Sequence, residues 1–172
     1  GKIDPDALAD VVLFLGEYYN NAFAGVEANN HGLTTLMALK SRYQYLYRRE
    51  IFDERSRRRT EKLGWLTTVR TRPLMIDSLA RAIREGEIVV RDEETLSELM
   101  RFSYDRNGRA GAQAGSHDDR VFALALALQM HTLGPAKGAG AQSASPLEDR
   151  LDLLKTLRDG RKGASRDGWN VV

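Results

Sequence analysis

Eight residues in a row, Val121 to Leu128 ("VFALALAL"), carry no polar side chain. A helix that is apolar on every side has to be covered on every side, so this run demands a core built from several other elements. With 172 residues, 42% of them hydrophobic, the chain can supply one domain with such a core and a small appendage. The run is preceded by "GSHDD", which sets Asp118 and Asp119 at the threshold of the helix. Carboxylates there cap free N–H groups and suit the helix dipole. They would also serve as metal ligands if other acids joined them, and the spacing alone leaves both readings open.

The preceding segments read as alternating helices and strands, which places the chain in the α/β class. Asp4-Pro5 marks a helix start, and Leu8, Val11, Val12 and Leu15 give helical spacing over 5–19, broken by Asn20-Asn21. "AFAGVE" reads as a buried strand ending at Glu27, and "LTTLMALK" as a short helix. Tyr43, Tyr45 and Tyr47 alternate as on a strand in "YQYLYRREIF". The polar "DERSRRRTEKLG" would then be a long basic tip joining that strand to "GWLTTV". "TRPLMIDSLARAIREG" is a helix with Leu74, Leu79 and Ile83 on its apolar face and Gly86 as its stop. "EIVV" reads as a brief strand, "DEETLSELMRFSYD" as a helix, and "RNGRAGAQAG" as a glycine-rich loop. The composition predicts a globular unit over 1–133, a small-residue linker over 134–146, and a short helix with a loose tail over 147–172.

Charge is unevenly placed. From Lys40 to Arg72 eleven basic side chains face four acidic ones, a local excess of seven, although the whole chain carries only +2. Such a cluster suits a polyanion or forms a solvated loop. The chain has no cysteine, which excludes disulfides, thiolate metal sites and a cysteine nucleophile. No apolar run approaches the roughly 20 residues of a membrane span, and the polar start "GKIDPDALAD" is unlike a signal peptide. A soluble intracellular protein is the expectation.

An acid ending an apolar strand must be paired, solvated at an edge, or bound to a cation. Glu27 is such an acid. Acids brought together raise one another's pKa unless a cation neutralises them, and Mg2+ or Mn2+ with oxygen ligands does so. The glycines of "RNGRAGAQAG" lack the Lys-Ser/Thr of a phosphate-binding P-loop, His31, His117 and His131 lack zinc-protease spacing, and no nucleophile elbow is present. His117, beside the acids, is an auxiliary candidate for the site or a helix cap; His131 suits a helix end. Trp65 reads as a core residue with a partner for its indole N–H.

The ordered set "GVEANNHG", "GWLTTVRTRPLMIDSLARAI", "ELMRFSYD" and "GSHDDRVFALALAL", spanning about residues 5 to 131, resembles the nuclease domain of the large terminase subunit of tailed bacteriophages and prophages. The resemblance implies a ribonuclease H-like fold, a mixed sheet flanked by helices and related to RuvC-type resolvases. It implies a two-metal endonuclease, using Mg2+ or Mn2+, that cuts concatemeric double-stranded DNA during genome packaging in the host bacterial cytoplasm. Glu27 then corresponds to the second metal-binding acid, and Asp118 and Asp119 to the final acidic pair. The implied partners are double-stranded DNA, the small terminase subunit, the portal, and an ATPase domain on the same polypeptide, with no membrane involved.

Phosphate contacts would come from Lys40, Arg42, Arg48, Arg49, Arg55, Arg57, Arg58, Arg59, Arg70 and Arg72, with Arg70 and Arg72 best placed before a helix. The family's first catalytic Asp lies on a strand preceding the first helix, and Asp4, Asp6 and Asp10 do not fit that place. The expectation is a domain lacking its first strands, with an exposed sheet edge and weakened metal binding and cleavage. Two other readings stand beside it: a resolvase or transposase core, which the "GWLTTVRTRP" element disfavours, and a non-catalytic DNA-binding or assembly module.

Overall fold

The computed structural model describes residues 3–29, 31–104, 110–112 and 117–134. They form a mixed α/β structure with two hydrophobic clusters, each built around its own helices. The predicted linker beyond Gly134 and the predicted C-terminal helix lie outside the described residues. Among those described, no helix is long and apolar enough to cross a membrane.

The first cluster starts from α1 (Pro5–Tyr18). Proline at the first helical position needs no N–H partner, and the Asp4 backbone carbonyl accepts from the Leu8 amide at 2.9 Å. Asn20 and Asn21 both adopt positive φ, at 60° and 58°, which ends the helix as their sequence predicts. α2 (Gly32–Leu39) packs on α1, and the Thr35 hydroxyl donates to the Pro5 carbonyl at 3.1 Å. Ala9, Leu36, Leu39, Tyr43, Leu46 and Leu63 close this core.

The Tyr43 hydroxyl donates to the Ala22 carbonyl, and burial, helped by Glu17 and Tyr45, pushes its pKa up to about 12. A raised folded-state pKa means stability that is complete below the ordinary tyrosine value of 10.0 and lost as pH climbs through 12. Urea unfolding measured from pH 9 to 12 should therefore show a falling stability that Tyr43→Phe flattens. Below pH 9 that variant should cost about 1 kcal/mol for the lost hydrogen bond.

The sequence expectation for strands needs correction at several points. Tyr43, Tyr45 and Tyr47 precede the strand rather than forming it: β1 runs Arg48–Asp53. Its partner is not "GWLTTV" but β2, Arg58–Leu63, inside the basic run itself, with Arg48 opposite Leu63 and Asp53 opposite Arg58. The cause is the turn. The Asp53 carboxylate accepts from the Arg55 amide at 2.9 Å and the Ser56 amide at 3.4 Å, and Arg57 takes a positive φ of 50°, so four residues suffice to reverse the chain. Hydrogen bonds from Ser56 and Arg55 hold the Asp53 carboxyl below its ordinary pKa.

"AFAGVE" is extended but forms only isolated parallel bridges, Ala24 with Leu46 and Glu27 with Trp65, and is half-buried. Ala24 exchanges hydrogen bonds with Tyr45 and Tyr47, while Trp65 donates to Val26 at 2.8 Å and accepts from Ala28 at 2.6 Å. One edge of this segment is thus shared by the stretches entering and leaving the β1–β2 hairpin. The hairpin is an arm between them, and Gly64, which donates to the Tyr47 carbonyl at 2.8 Å, is the corner where the chain rejoins. Its φ of 77° and the Val26 oxygen, which would lie 2.7 Å from a Cβ, admit only glycine.

The second cluster joins α3 (Thr71–Arg84), α4 (Glu93–Met100) and α5 (Asp119–Leu133). Met75, Ile76 and Leu79 pack on Val121 and Ala125. The predicted face of α3 was rotated: Leu74 is 66% and Ile83 40% exposed, because Met75, Ile76, Leu79 and Ala82 form the buried stripe. "EIVV" forms no strand, and the predicted helix through "RFSYD" stops at Met100, after which β3 (Phe102–Tyr104) pairs antiparallel with β4 (Ala110–Ala112). The rest of the glycine-rich loop lies outside the described residues. α5 is buried on one side only, with Ala123 and Ala127 exposed, so the small residues of "VFALALAL" let an apolar helix face outward. These elements do not make up one broad mixed sheet: the described strands form two two-stranded antiparallel sheets.

Candidate functional site

The stretch "GWLTTVRTRP" binds the two clusters together. Trp65 pairs with the Glu27 segment, and the Asn29 side chain donates to the Thr67 carbonyl at 2.9 Å. Thr68 and Thr71 then cap α3 reciprocally: the Thr68 hydroxyl accepts from the Arg70 and Thr71 amides at 3.2 and 3.1 Å, and the Thr71 hydroxyl accepts from the Thr68 amide at 2.8 Å. The Thr71 hydroxyl also donates to the Leu66 carbonyl at 2.9 Å. This double cap satisfies amides that a helix start leaves without partners, and it fixes Arg72 on the first turn of α3.

A cavity of about 360 Å3 opens beside that turn, lined by Glu27, Thr67, Arg72, Asp118, Asp119 and Phe122 among others. All three acids singled out in the sequence therefore meet one cavity, although Glu27 lies about 90 positions from the pair. The Asp118 carboxylate makes no hydrogen bond to the amides of α5, so side-chain capping does not account for it. Instead it stands 3.4 Å from Nη2 of Arg72. That nitrogen also donates to the Ala110 carbonyl at 3.1 Å, and the guanidinium lies 4.0 Å above the Phe122 ring. Asp119 is exposed at the first position of α5, and Glu27 is exposed at the end of its segment.

Three carboxylates suit a hard divalent cation in chemistry. Among the described residues, however, no group of three or more His, Asp or Glu side chains is gathered closely enough to hold a metal ion. His117 is exposed and does not line the cavity. Arg120, next to Asp119, points to α4: its amide donates to Glu98 at 2.8 Å and its guanidinium pairs with Asp92, Glu94 and Glu98. Asp92 itself caps α4, accepting from Thr95, and those bonds hold its carboxyl below the ordinary range.

The basic residues divide by environment. Arg42 pairs with Asp10 at 2.6 Å, Arg59 with Glu50 at 3.1 Å, and Arg49 donates to the Leu63 and Gly64 carbonyls at 2.8 and 2.7 Å. Arg48, Arg55, Arg57, Arg58 and Lys62 are exposed on the arm, and Lys40 and Arg70 are exposed elsewhere. Of the described arginines, Arg72 alone lines the cavity of the acids.

Sequence reasoning missed Thr67 and Phe122 as lining residues. Phe122 lay hidden inside an apolar run that gave no reason to separate one aromatic from its neighbours. The expected partner for the Trp65 indole is also missing: its Nε1 is buried without a hydrogen bond among the described residues. Comparison with known proteins returns no relative: no protein family, no curated protein and no solved structure matches the chain.

Proposed function

We propose that this chain is a metal-dependent DNA endonuclease domain of the large-terminase type, cutting double-stranded DNA during viral genome packaging in a bacterial host. The observation that supports this most is that Glu27, Asp118 and Asp119, far apart in sequence, line one cavity together with Arg72. Mg2+ or Mn2+ held by these carboxylates would supply the activated water and the charge stabilisation that phosphodiester hydrolysis needs. The protein's own contribution is to bring acids from two separate segments to one cavity and to offer the exposed basic arm to the DNA backbone. The small terminase subunit, the portal and an ATPase domain are the partners this reading carries with it.

A second reading has its own support. The lack of a tight acidic group among the described residues favours a DNA-binding or assembly module that does not cleave.

Plasmid nicking with Mn2+ decides between them. The nuclease reading expects cleavage that falls about 10²-fold in each of Glu27→Ala, Asp118→Ala and Asp119→Ala, since loss of a ligand costs at least as much as loss of its supporting shell. Activity that survives all three would remove the assignment. Salt-sensitive DNA binding with no metal-dependent cut would establish the module.

A further inference from the structure

The register of the β1–β2 arm sorts its charges onto two faces. Directly opposed residues share a face, and successive pairs alternate between the two. One face carries Arg48 with Leu63, Glu50 with Glu61, and Phe52 with Arg59. Its bases and acids cancel, and Arg59 is spent on Glu50 at 3.1 Å. The other face carries Arg49 with Lys62, Ile51 with Thr60, and Asp53 with Arg58. Its sole acid, Asp53, is turned back to the Arg55 and Ser56 amides. Arg49 is held by the Leu63 and Gly64 carbonyls, with no carboxylate beside it among the described residues, and it stands directly across from Lys62. Like charges opposed in this way destabilise a ribbon, so the pair is relieved by an anion. Lys62 and Arg58 are exposed and have no side-chain partner among the described residues.

We propose that the arm lies across the major groove of duplex DNA with the Arg49–Lys62 face inward, Lys62 and Arg58 each meeting a phosphate at opposite rims of the groove. The inference rests on the DNA-binding reading above and adds to it a groove and an orientation. Four residues at about 3.3 Å each separate Lys62 from Arg58 by about 13 Å. That span is close to the roughly 12 Å width of the major groove of B-form DNA and about twice the width of the minor groove. A two-stranded ribbon also fits the major groove in shape. Between the two cations the face carries only the uncharged Ile51–Thr60 pair, so no acid stands over the groove floor.

The test is filter binding of the full chain to a DNA duplex of about two helical turns and to an RNA duplex of the same sequence. Arg58→Gln combined with Lys62→Gln should lower affinity for the DNA about 20-fold at about 0.1 M salt, and reduce the slope of log K against log salt by about two. Glu50→Gln combined with Glu61→Gln should change it by no more than about twofold, because charges on the outer face are screened. On the RNA duplex, whose major groove is too narrow for side chains to enter, the basic variant should bind like wild type. Unaltered DNA affinity in the basic variant would overturn the proposal, and an equal loss on RNA would overturn the groove. A gain in the acid variant as large as the loss in the basic one would put the opposite face on the DNA. No salt-sensitive DNA binding by the wild-type chain would overturn the DNA reading itself.

Both pairs of substitutions lie outside the two hydrophobic clusters, so the chain should stay folded. Should either variant fail to fold, the wild-type chain answers by chemical acetylation read by mass spectrometry. Modification of Lys62 should slow on adding the DNA duplex and not on adding the RNA. An unchanged rate at saturating DNA would refute the proposal.

Discussion

Gly32→Ala should destabilise the chain by about 3 kcal/mol, the upper range for overpacking a tight site, and should disturb Glu27 in the process. An alanine Cβ at this position would fall on the Glu27 carbonyl oxygen and within 2.9 Å of its carbonyl carbon. That neighbour is backbone, so no side-chain rotation can relieve the clash. The start of α2 is tied by the Gly32 amide to the Asn29 carbonyl at 3.0 Å, which leaves little room for retreat. Either α2 moves off α1 or Glu27 moves off its bridge with Trp65. Urea unfolding measures the first consequence, and amide exchange at Ala28, which donates to the Trp65 carbonyl, the second. A variant as stable as wild type would show that this corner is looser than the close approach implies.

The second large effect concerns the arm. Replacing residues 49–62 with a two-residue Asn-Gly turn should leave a folded chain, because neither hydrophobic cluster draws on those residues. On the proposed DNA-binding function, affinity should nevertheless fall on the order of 10²-fold at about 0.1 M salt, with the salt dependence of log K reduced by about three. The reasoning is a count of available charges. Arg49 is committed to two carbonyls and Arg59 to Glu50. Arg55, Arg57, Arg58 and Lys62 have no side-chain partner among the described residues, and about three phosphate contacts are a fair expectation from four such groups. Filter binding from 50 to 200 mM salt gives the slope directly. An unchanged slope would move the phosphate contacts to Arg70, Arg72 and Lys40.

How far the sequence could be read varied with the kind of signal. Helices were legible where chemistry was local. The Asp4-Pro5 start, the Asn20-Asn21 stop and Gly86, with its φ of 70°, all act on the backbone of their own neighbourhood. Strands depended on distant partners and were read poorly. The pairing of β1 turned on how tightly Asp53 could close a turn, and the alternating tyrosines imitated a strand while Tyr43 in fact reaches the Ala22 carbonyl. The three acids that line the cavity stood out in the sequence because each broke a local rule: a charge at the end of an apolar segment and a pair before an apolar helix. Among ten cations the sequence favoured Arg70 and Arg72 equally, for their place before a helix. The distinction of Arg72 comes from Phe122, Ala110 and Asp118, at separations of 38 residues or more, and no local pattern encodes that meeting.

The two hydrophobic clusters have a consequence for the energetics of opening. Glu27 follows the stretch that packs on α1 and α2, whereas Asp118, Asp119 and Arg72 belong to the helices of the other cluster. The cavity thus lies between the two hydrophobic clusters, which the Trp65 ladder and the Asn29 bond to Thr67 help to join. Amide hydrogen exchange should resolve two protection classes, with Ala28 and Trp65 at the seam opening more readily than the interior of α3 or α5. A ligand that engages acids from both units ties two foldons into one, and the exchange rates on either side of the seam would then converge.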